Sequence, residues 1–275
     1  MSGMNAKQIN KTISKKIEEW LTTLPEDLRE RAASNAIVTG GSICSMLLGE
    51  KVNDYDIYFK DPTVALDVAK HYVAMTNGVL THAVIRDGIV DICSSGIRDG
   101  WFVEWKNLLP TVPAYHPQYI STHAITLSDD VQLITKFTGD LESIHKNFDF
   151  VHTLNYWTSK TGVVLNMKSL ECILSKKLIY SGSTYPICSM FRMRKFIKRG
   201  WSISAGEMFK IAWEINKLDL ADADKLRSQL IGVDVAYFNS IINTIDKHRE
   251  TNGYIDTEWL FNVIDHAFEE DVTSD

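Results

Sequence analysis

The sequence lacks the features of an exported or membrane-bound chain. Met1 to Lys16 mixes lysines with polar residues and has no apolar core followed by small residues, so no secretory leader is expected. No apolar run approaches the roughly 20 residues that a spanning helix needs. The expectation is a cytoplasmic protein with no membrane partner. Cysteine is scarce: Cys44, Cys93, Cys172 and Cys188 lie far apart with no C-x-x-C pair. Neither a zinc knuckle nor a disulfide framework is indicated, and buried free thiols are expected. There is no low-complexity tract and there are only six prolines, while 45% of the 275 residues are hydrophobic, enough to bury a substantial core. A net charge of −6 disfavours a protein that coats nucleic acid non-specifically, because such affinity comes from many phosphate contacts. Positive charge is concentrated locally, in Arg192-Met193-Arg194-Lys195 with Lys198 and Arg199.

What is present is a mixed pattern followed by a helical one. Ile9, Ile13, Ile17, Trp20 and Leu21 recur at helical spacing, and Pro25 closes that leading amphipathic helix. Ala36 to Thr39 reads as a short buried strand broken by Gly40-Gly41, after which Ser42 is placed to cap a helix through Leu48, ended by Gly49. Asp54 to Phe59 alternates as a strand, and Asp61-Pro62 opens a helix to about Thr76. Val79 to Ile85 and Ile89 to Cys93 are strand-like around Arg86-Asp87-Gly88, a hairpin turn. Ser94 to Tyr119, with Pro110, Pro113 and Pro117, reads as a long irregular excursion. A second hairpin follows over Ala124 to Leu127 and Val131 to Phe137, then a helix over Gly139 to Lys146. Beyond Asn166 the period is helical almost throughout.

The informative run is Gly40-Gly41-Ser42, eleven further residues, then Asp54-Tyr55-Asp56-Ile57. Glycines at a strand-to-helix turn let the backbone approach a ligand, and a helix N-terminus offers free N–H groups to a phosphate. Residues two apart on a strand share a face, so Asp54 and Asp56 lie side by side and Tyr55 faces the other way. Two adjacent carboxylates repel unless a cation sits between them, and hard oxygen donors suit Mg²⁺ or Mn²⁺ carrying substrate phosphates. A tight turn with solvated aspartates is the plainer reading of a bare D-x-D; the complete strand, double glycine, helix and D-x-D arrangement favours a metal and nucleotide site.

At these residues the chain resembles the polymerase-β-like nucleotidyltransferase superfamily, with a spacing similar to bacterial-type CCA-adding enzymes and poly(A) polymerases. Gly40 to Gly49 followed by Asp54 and Asp56 matches that family's G-G-A-V-R-D-x-L-L-G…D-x-D register without a gap. Phe148-Asp149-Phe150 falls where the family has R-D-F-T-I-N-A, and Phe191-Arg192-Met193-Arg194-Lys195-Phe196 resembles the L-R-x-x-R-F helix of its neck. The match spans roughly Ile37 to Trp201. It implies an α+β fold, a nucleotidyltransferase head of mixed sheet and flanking helices over residues 1–160 followed by an all-α neck and tail over 161–275. It also implies transfer of a nucleoside monophosphate from an NTP such as ATP to an acceptor hydroxyl, with an RNA 3′ end, tRNA-like, as acceptor. The run Val131-Gln132-Leu133-Ile134, with Gly139 and Phe148-Asp149-Phe150, further resembles superfamily members found in large bacteriophages.

The departures qualify that picture. Cys44 and Ser45 replace an arginine and an aspartate, and Cys188 and Ser189 replace the Glu-Asp before the neck arginine, so the ribose, triphosphate and base contacts of the family do not carry over there. A third carboxylate is expected to be Asp149, or Asp91, or to be absent; Gln132 stands at another strand position where a carboxylate is expected. The candidate catalytic residues are therefore Asp54, Asp56 and Asp149, with Asp54 and Asp56 as metal ligands. The candidate nucleotide-binding residues are Gly40, Gly41, Ser42, Lys51, Arg192 and Lys195. For Lys51 a solvated loop position is the plainer reading, and for Arg192 and Lys195 a solvated basic face. His145 and His152 read as packed or surface residues, with no ligand spacing to another His or Cys. Trp101, Trp105, Tyr115 and Tyr119 either stack acceptor bases or pack a lid, the latter being safer. A protein hydroxyl or small molecule as acceptor, or a nucleotide-binding protein without turnover, are the competing functions.

Overall fold

The computed structural model describes residues 3–76, 82–86, 89–93, 100–103, 113–220, 222–230, 244–245, 247–253 and 256–269. The chain divides into two compact units, Met1–Lys217 and Leu218–Asp275. The expected division after residue 160 falls inside the first unit. A shared core holds that junction together, as described below.

The first unit is built on helix α1 (Ala6–Thr22), α2 (Glu26–Asn35), strand β1 (Ala36–Thr39), α3 (Gly41–Leu48), β2 (Tyr55–Phe59) and α4 (Pro62–Ala74). Strands β3 (His82–Arg86), β4 (Ile89–Cys93), β5 (Gly100–Phe102), β6 (Pro117–Ser121), β7 (Ala124–Leu127) and β8 (Val131–Thr138) follow. Then come α5 (Leu141–His145), β9 (Tyr156–Thr158), β10 (Gly162–Val164), α6 (Met167–Ser175), β11 (Lys177–Leu178), α7 (Pro186–Lys198), β12 (Ser202–Ile203) and α8 (Ala205–Ile215). Among the described residues the main sheet has eight strands in the order β10-β9-β1-β2-β8-β7-β6-β5. β2 and β8 pair in parallel, and the other pairs of this sheet are antiparallel. The α+β class read from the sequence holds, and helices dominate after Asn166, interrupted by the short parallel pair β11–β12. The second unit contributes helices Ala223–Leu230 and Thr257–Glu269.

Alternation decides which face of the sheet is buried. Val38 of β1 and Tyr55, Ile57 and Phe59 of β2 join Ile9, Ile13, Ile17 and Trp20 of α1 and Val64, Val68 and Tyr72 of α4 in one core. Each such side chain removed from water contributes about 1.5–3 kcal/mol. At its centre the Trp20 Nε1 donates to the Tyr72 hydroxyl at 3.0 Å, so the one polar edge of the indole is satisfied. Since Tyr55, Ile57 and Phe59 point into this layer, Asp56 and Tyr58 point to the other face. A second core joins Cys44 of α3 and Phe150 to Ile173, Leu178, Tyr180, Trp201 and Ile211, with Met193 and Phe196 of α7 packed on it. α3 serves both layers, Ile43 and Met46 in the first and Cys44 in the second.

Several expectations need correction. α2 and the pair β9–β10 were not read from the sequence; their register with β1 is a tertiary fact that short local patterns do not carry. The excursion from Ser94 to Tyr119 is not irregular throughout, because β5 and β6 pair at the sheet edge, with Pro117 at the first position of β6, where no ladder N–H is needed. Tyr115 and Tyr119 are 6% and 4% exposed, and the Tyr115 hydroxyl donates to Glu19, so both pack the head and are closed to base stacking. Asp87 and Gly88 of the expected hairpin turn, Trp105 and Pro110 lie outside the described residues, as does the Trp101 side chain. Cys44, Cys172 and Cys188 are buried and outside any disulfide.

Candidate active site

The site begins with the turn between β1 and α3. Gly40 has φ 97° and ψ −148°, a conformation open to glycine alone, and it stands at the cap position of α3. A Cβ on Gly40 would lie 2.7 Å from Asp56 Oδ2, so the missing side chain is also what lets the turn lie against that carboxylate. Ser42 does not cap the helix as expected: α3 starts at Gly41 with no side-chain cap. Instead the Ser42 hydroxyl is buried within the first turn and has no hydrogen-bond partner. The segment around Phe148-Asp149-Phe150 closes the other side of this turn, as Gly40 N–H donates to the Thr153 carbonyl at 3.2 Å and the Thr39 hydroxyl contacts His145 Nε2 at 2.9 Å.

Asp54 is exposed just ahead of β2, which begins one residue later than expected, at Tyr55; Tyr55 is buried and Asp56 is half-buried. Gln132 is the register partner of Asp56 on β8, and Thr126 is the partner of Gln132 on β7. Gln132 Nε2 donates to Thr126 Oγ1 at 3.2 Å, so the row that starts with Asp56 continues with neutral groups. Asp91 lies on β4 with one oxygen 3.3 Å from His123 Nδ1. Among the described residues no three Asp, Glu, His or Cys side chains come together as a metal cluster.

Asp149 is placed differently. Its carboxylate, 9% exposed, accepts from Arg192 Nη1 on α7 at 2.8 Å. The preceding Phe148 ring lies 5.7 Å from Tyr58, which shares the Asp56 face of β2, and the following Phe150 enters the second core. The structure thus brings Gly40 to Asp56 and Asp149 to Arg192. Lys51, on the turn leading into β2, and Lys195, one helical turn beyond Arg192, are exposed.

Two further groups, at the caps of α7, are tied to the α/β part of the same unit. Lys136 of β8 lies 4.5 Å from the centre of the Tyr185 ring and donates to its hydroxyl, and Arg199 pairs with Glu50 of the turn after α3. The sequence reading did not single out Lys136, Tyr185 or Glu50. The only local signal was the seven-residue spacing of Tyr185, Arg192 and Arg199.

Burial sets the protonation of the packed groups. The Cys44 thiol, where the resembled family has an arginine, is pushed up to about 12 by burial and remains a neutral apolar group. His145 and His152 are held near 4, chiefly by burial, so both rings are neutral at physiological pH. Both are packed residues, as expected.

Solved structures similar to this chain include the Thermotoga maritima CCA-adding enzyme complexed with tRNA. Its TM-score is 0.44 at 12% identity, over 92% of this chain and 68% of that one. The Bacillus stearothermophilus CCA-adding enzyme in complex with CTP has a TM-score of 0.38 at 12% identity, over 82% and 51%. Among curated proteins, "Gabija anti-defense 2" of Bacillus phage SPbetaL7 is 25% identical over 222 residues, covering 76% of this chain; the chain spans 45% of that relative's length. The family model described as "Gad2: Gabija anti-defense 2 family protein" matches residues 11–176, from α1 through α6 and across the whole Gly40 to Asp56 corner, and the chain belongs to that family.

Proposed function

We propose that this chain is a divalent-metal-dependent nucleotidyltransferase. A hydroxyl oxygen of the acceptor attacks the α-phosphorus of an NTP, the bond to the β-phosphate oxygen breaks, pyrophosphate leaves, and the hydroxyl proton passes to solvent. The observation that carries the reading is the approach of Gly40 to the Asp56 carboxylate, which leaves room for nothing larger than hydrogen between phosphate-binding turn and metal-binding strand. The donor set fits the cation: Mg²⁺ takes one or two carboxylates and completes its shell with water and substrate phosphates, and two carboxylates are what Asp54 and Asp56, at and just ahead of the start of β2, offer. Asp54 and Asp56 would hold Mg²⁺ or Mn²⁺, which when bound supplies charge neutralisation for the polyphosphate. The N–H groups opening α3 and the orphaned Ser42 hydroxyl orient phosphate oxygens; Lys51, Arg192 and Lys195 supply positive charge around the nucleotide.

An RNA 3′ hydroxyl is the first acceptor to test, on the motif register shared with tRNA-directed enzymes. A protein hydroxyl is the second reading, favoured by the family's name, which speaks of countering a defence system. Incubation with each α-labelled NTP, Mg²⁺ and cell extract separates them: label in RNA supports the first, label in protein the second. Absence of both label and pyrophosphate, with nucleotide still bound, leaves a binding protein without turnover.

A further inference from the structure

We infer that Asp149 is a positioning residue that sets Arg192 against the head and is no part of the divalent-cation site; this rests on the transferase reading above. Three observations lead there. The carboxylate is nearly buried and its counter-charge is Arg192 at 2.8 Å, so the pair satisfies electrostatically a charge that burial otherwise penalises heavily. The backbone on either side is stitched to the neck: Ser181 N–H donates to the Asp149 carbonyl at 2.8 Å, Val151 N–H to the Ile179 carbonyl at 3.1 Å, and Phe150 bridges Tyr180. These bonds hold residue 149 toward α7, while its neighbour Phe148 occupies the Tyr58 side of β2, the side that Asp56 shares.

The two roles exclude each other. A cation drawn to Asp149 sits next to a guanidinium that cannot lose its charge, and like charges at that separation repel. The arginine keeps the carboxylate, and the carboxylate fixes one rotamer of a long side chain. Asp149–Arg192 lies midway along α7, between fastenings at its two ends, Lys136–Tyr185 at the N-cap and Glu50–Arg199 at the C-cap. With both ends of the helix tied to the head, the middle pair governs where the guanidinium stands relative to a bound nucleotide.

The experiment compares Asp149→Asn, Arg192→Gln, their double variant and Asp56→Asn in full-length protein. Free Mn²⁺ is followed in a direct titration, and kcat and KM for the NTP are measured beside it. Asp149→Asn is expected to leave Mn²⁺ affinity within about twofold of wild type, whereas Asp56→Asn weakens it by about tenfold or more. KM rises about tenfold in Asp149→Asn with kcat nearly unchanged, the double variant is no worse than Arg192→Gln alone, and Asp149→Glu recovers part of the loss. Loss of Mn²⁺ binding in Asp149→Asn equal to that in Asp56→Asn overturns the inference, as do additive KM effects. If Asp56→Asn binds Mn²⁺ like wild type, the transferase site is wrong. The pairing is then decided by melting: Tm losses that fail to add support it, and additive losses overturn it.

Discussion

The corner that carries Asp54 and Asp56 and the face of α7 that carries Arg192 are built in opposite ways. The corner is local: a strand, one glycine in a left-handed conformation, a helix of eight residues and the next strand, all between Ala36 and Phe59. The α7 region is assembled from afar, since the partners of Tyr185, Arg192 and Arg199 come from β8, the Phe148-Asp149-Phe150 segment and the turn after α3. In the corner, backbone conformation and the absence of a side chain set the geometry; on α7, paired charges and a shared aromatic core set it. The difference teaches where each region is fragile. One added methyl breaks the corner, whereas the α7 face gives way fastening by fastening.

The largest effect belongs to the corner's carboxylates. Asp56→Asn keeps the shape and removes the charge, and is expected to lower NMP transfer by about 100-fold or more while the fold persists. Pyrophosphate release and calorimetry check this; retained turnover shows that the corner is not where the chemistry happens. Gly40→Ala comes next. The new Cβ meets Asp56 Oδ2 at 2.7 Å in a backbone conformation that L side chains rarely adopt, so a cost of about 1–3 kcal/mol in stability and a loss of transfer are expected together. Gly41→Ala, where a Cβ meets no protein atom within 4 Å, is the matched control for stability and leaves the melting temperature nearly intact.

The same contrast explains what could be read in advance. Gly40 and the turn of Tyr55 inward beside Asp56 are consequences of local sterics and the two-residue period of a strand, so they were legible from a run of seventeen residues. β9 and β10 were not, because three-residue strands have no period to detect and exist by pairing with β1. The partnership of Asp149 was not legible either: an aspartate between two phenylalanines reads equally as a metal ligand or as half of an ion pair. Only the placement of Arg192, 43 residues away, separates the two.

On the α7 side, His152 gives the next prediction. The ring is fully buried between Phe196 at 4.4 Å and Trp201 at 4.6 Å, and neither nitrogen has a hydrogen-bond partner. Burial holds its pKa near 4, against 6.5 for a free histidine, with Arg199 adding to the depression and Asp149 opposing it. The unfolded chain therefore binds the proton first, so stability is complete above about pH 6.5 and is lost as pH falls toward 4, by at most about 1.4 kcal/mol per pH unit. His123 and His145, also held near 4 chiefly by burial, act in the same direction. His152→Leu is expected to reduce the acid-side slope without abolishing it. An unchanged slope in that variant means the ring is hydrated or charged in the fold.

The smallest effect tests whether α7 depends on all its fastenings equally. The Arg199 and Glu50 side chains are 32% and 29% exposed, so water screens their attraction, and a pair of this kind contributes about 0.5–1 kcal/mol. Arg199→Gln keeps the length of the side chain and removes the charge, and is expected to cost no more than that in urea unfolding, with the loss shrinking in high salt. It also removes a positive charge that helps to keep His152 neutral, so the same variant raises the His152 pKa slightly, and the acid-side loss becomes smaller and ends at a slightly higher pH. A cost several times larger, insensitive to salt, shows instead that the guanidinium acts by packing on Phe196, whose ring centre lies 5.2 Å away. The C-terminal end of α7 is then fixed by its apolar core, and the ion pair there is secondary to it.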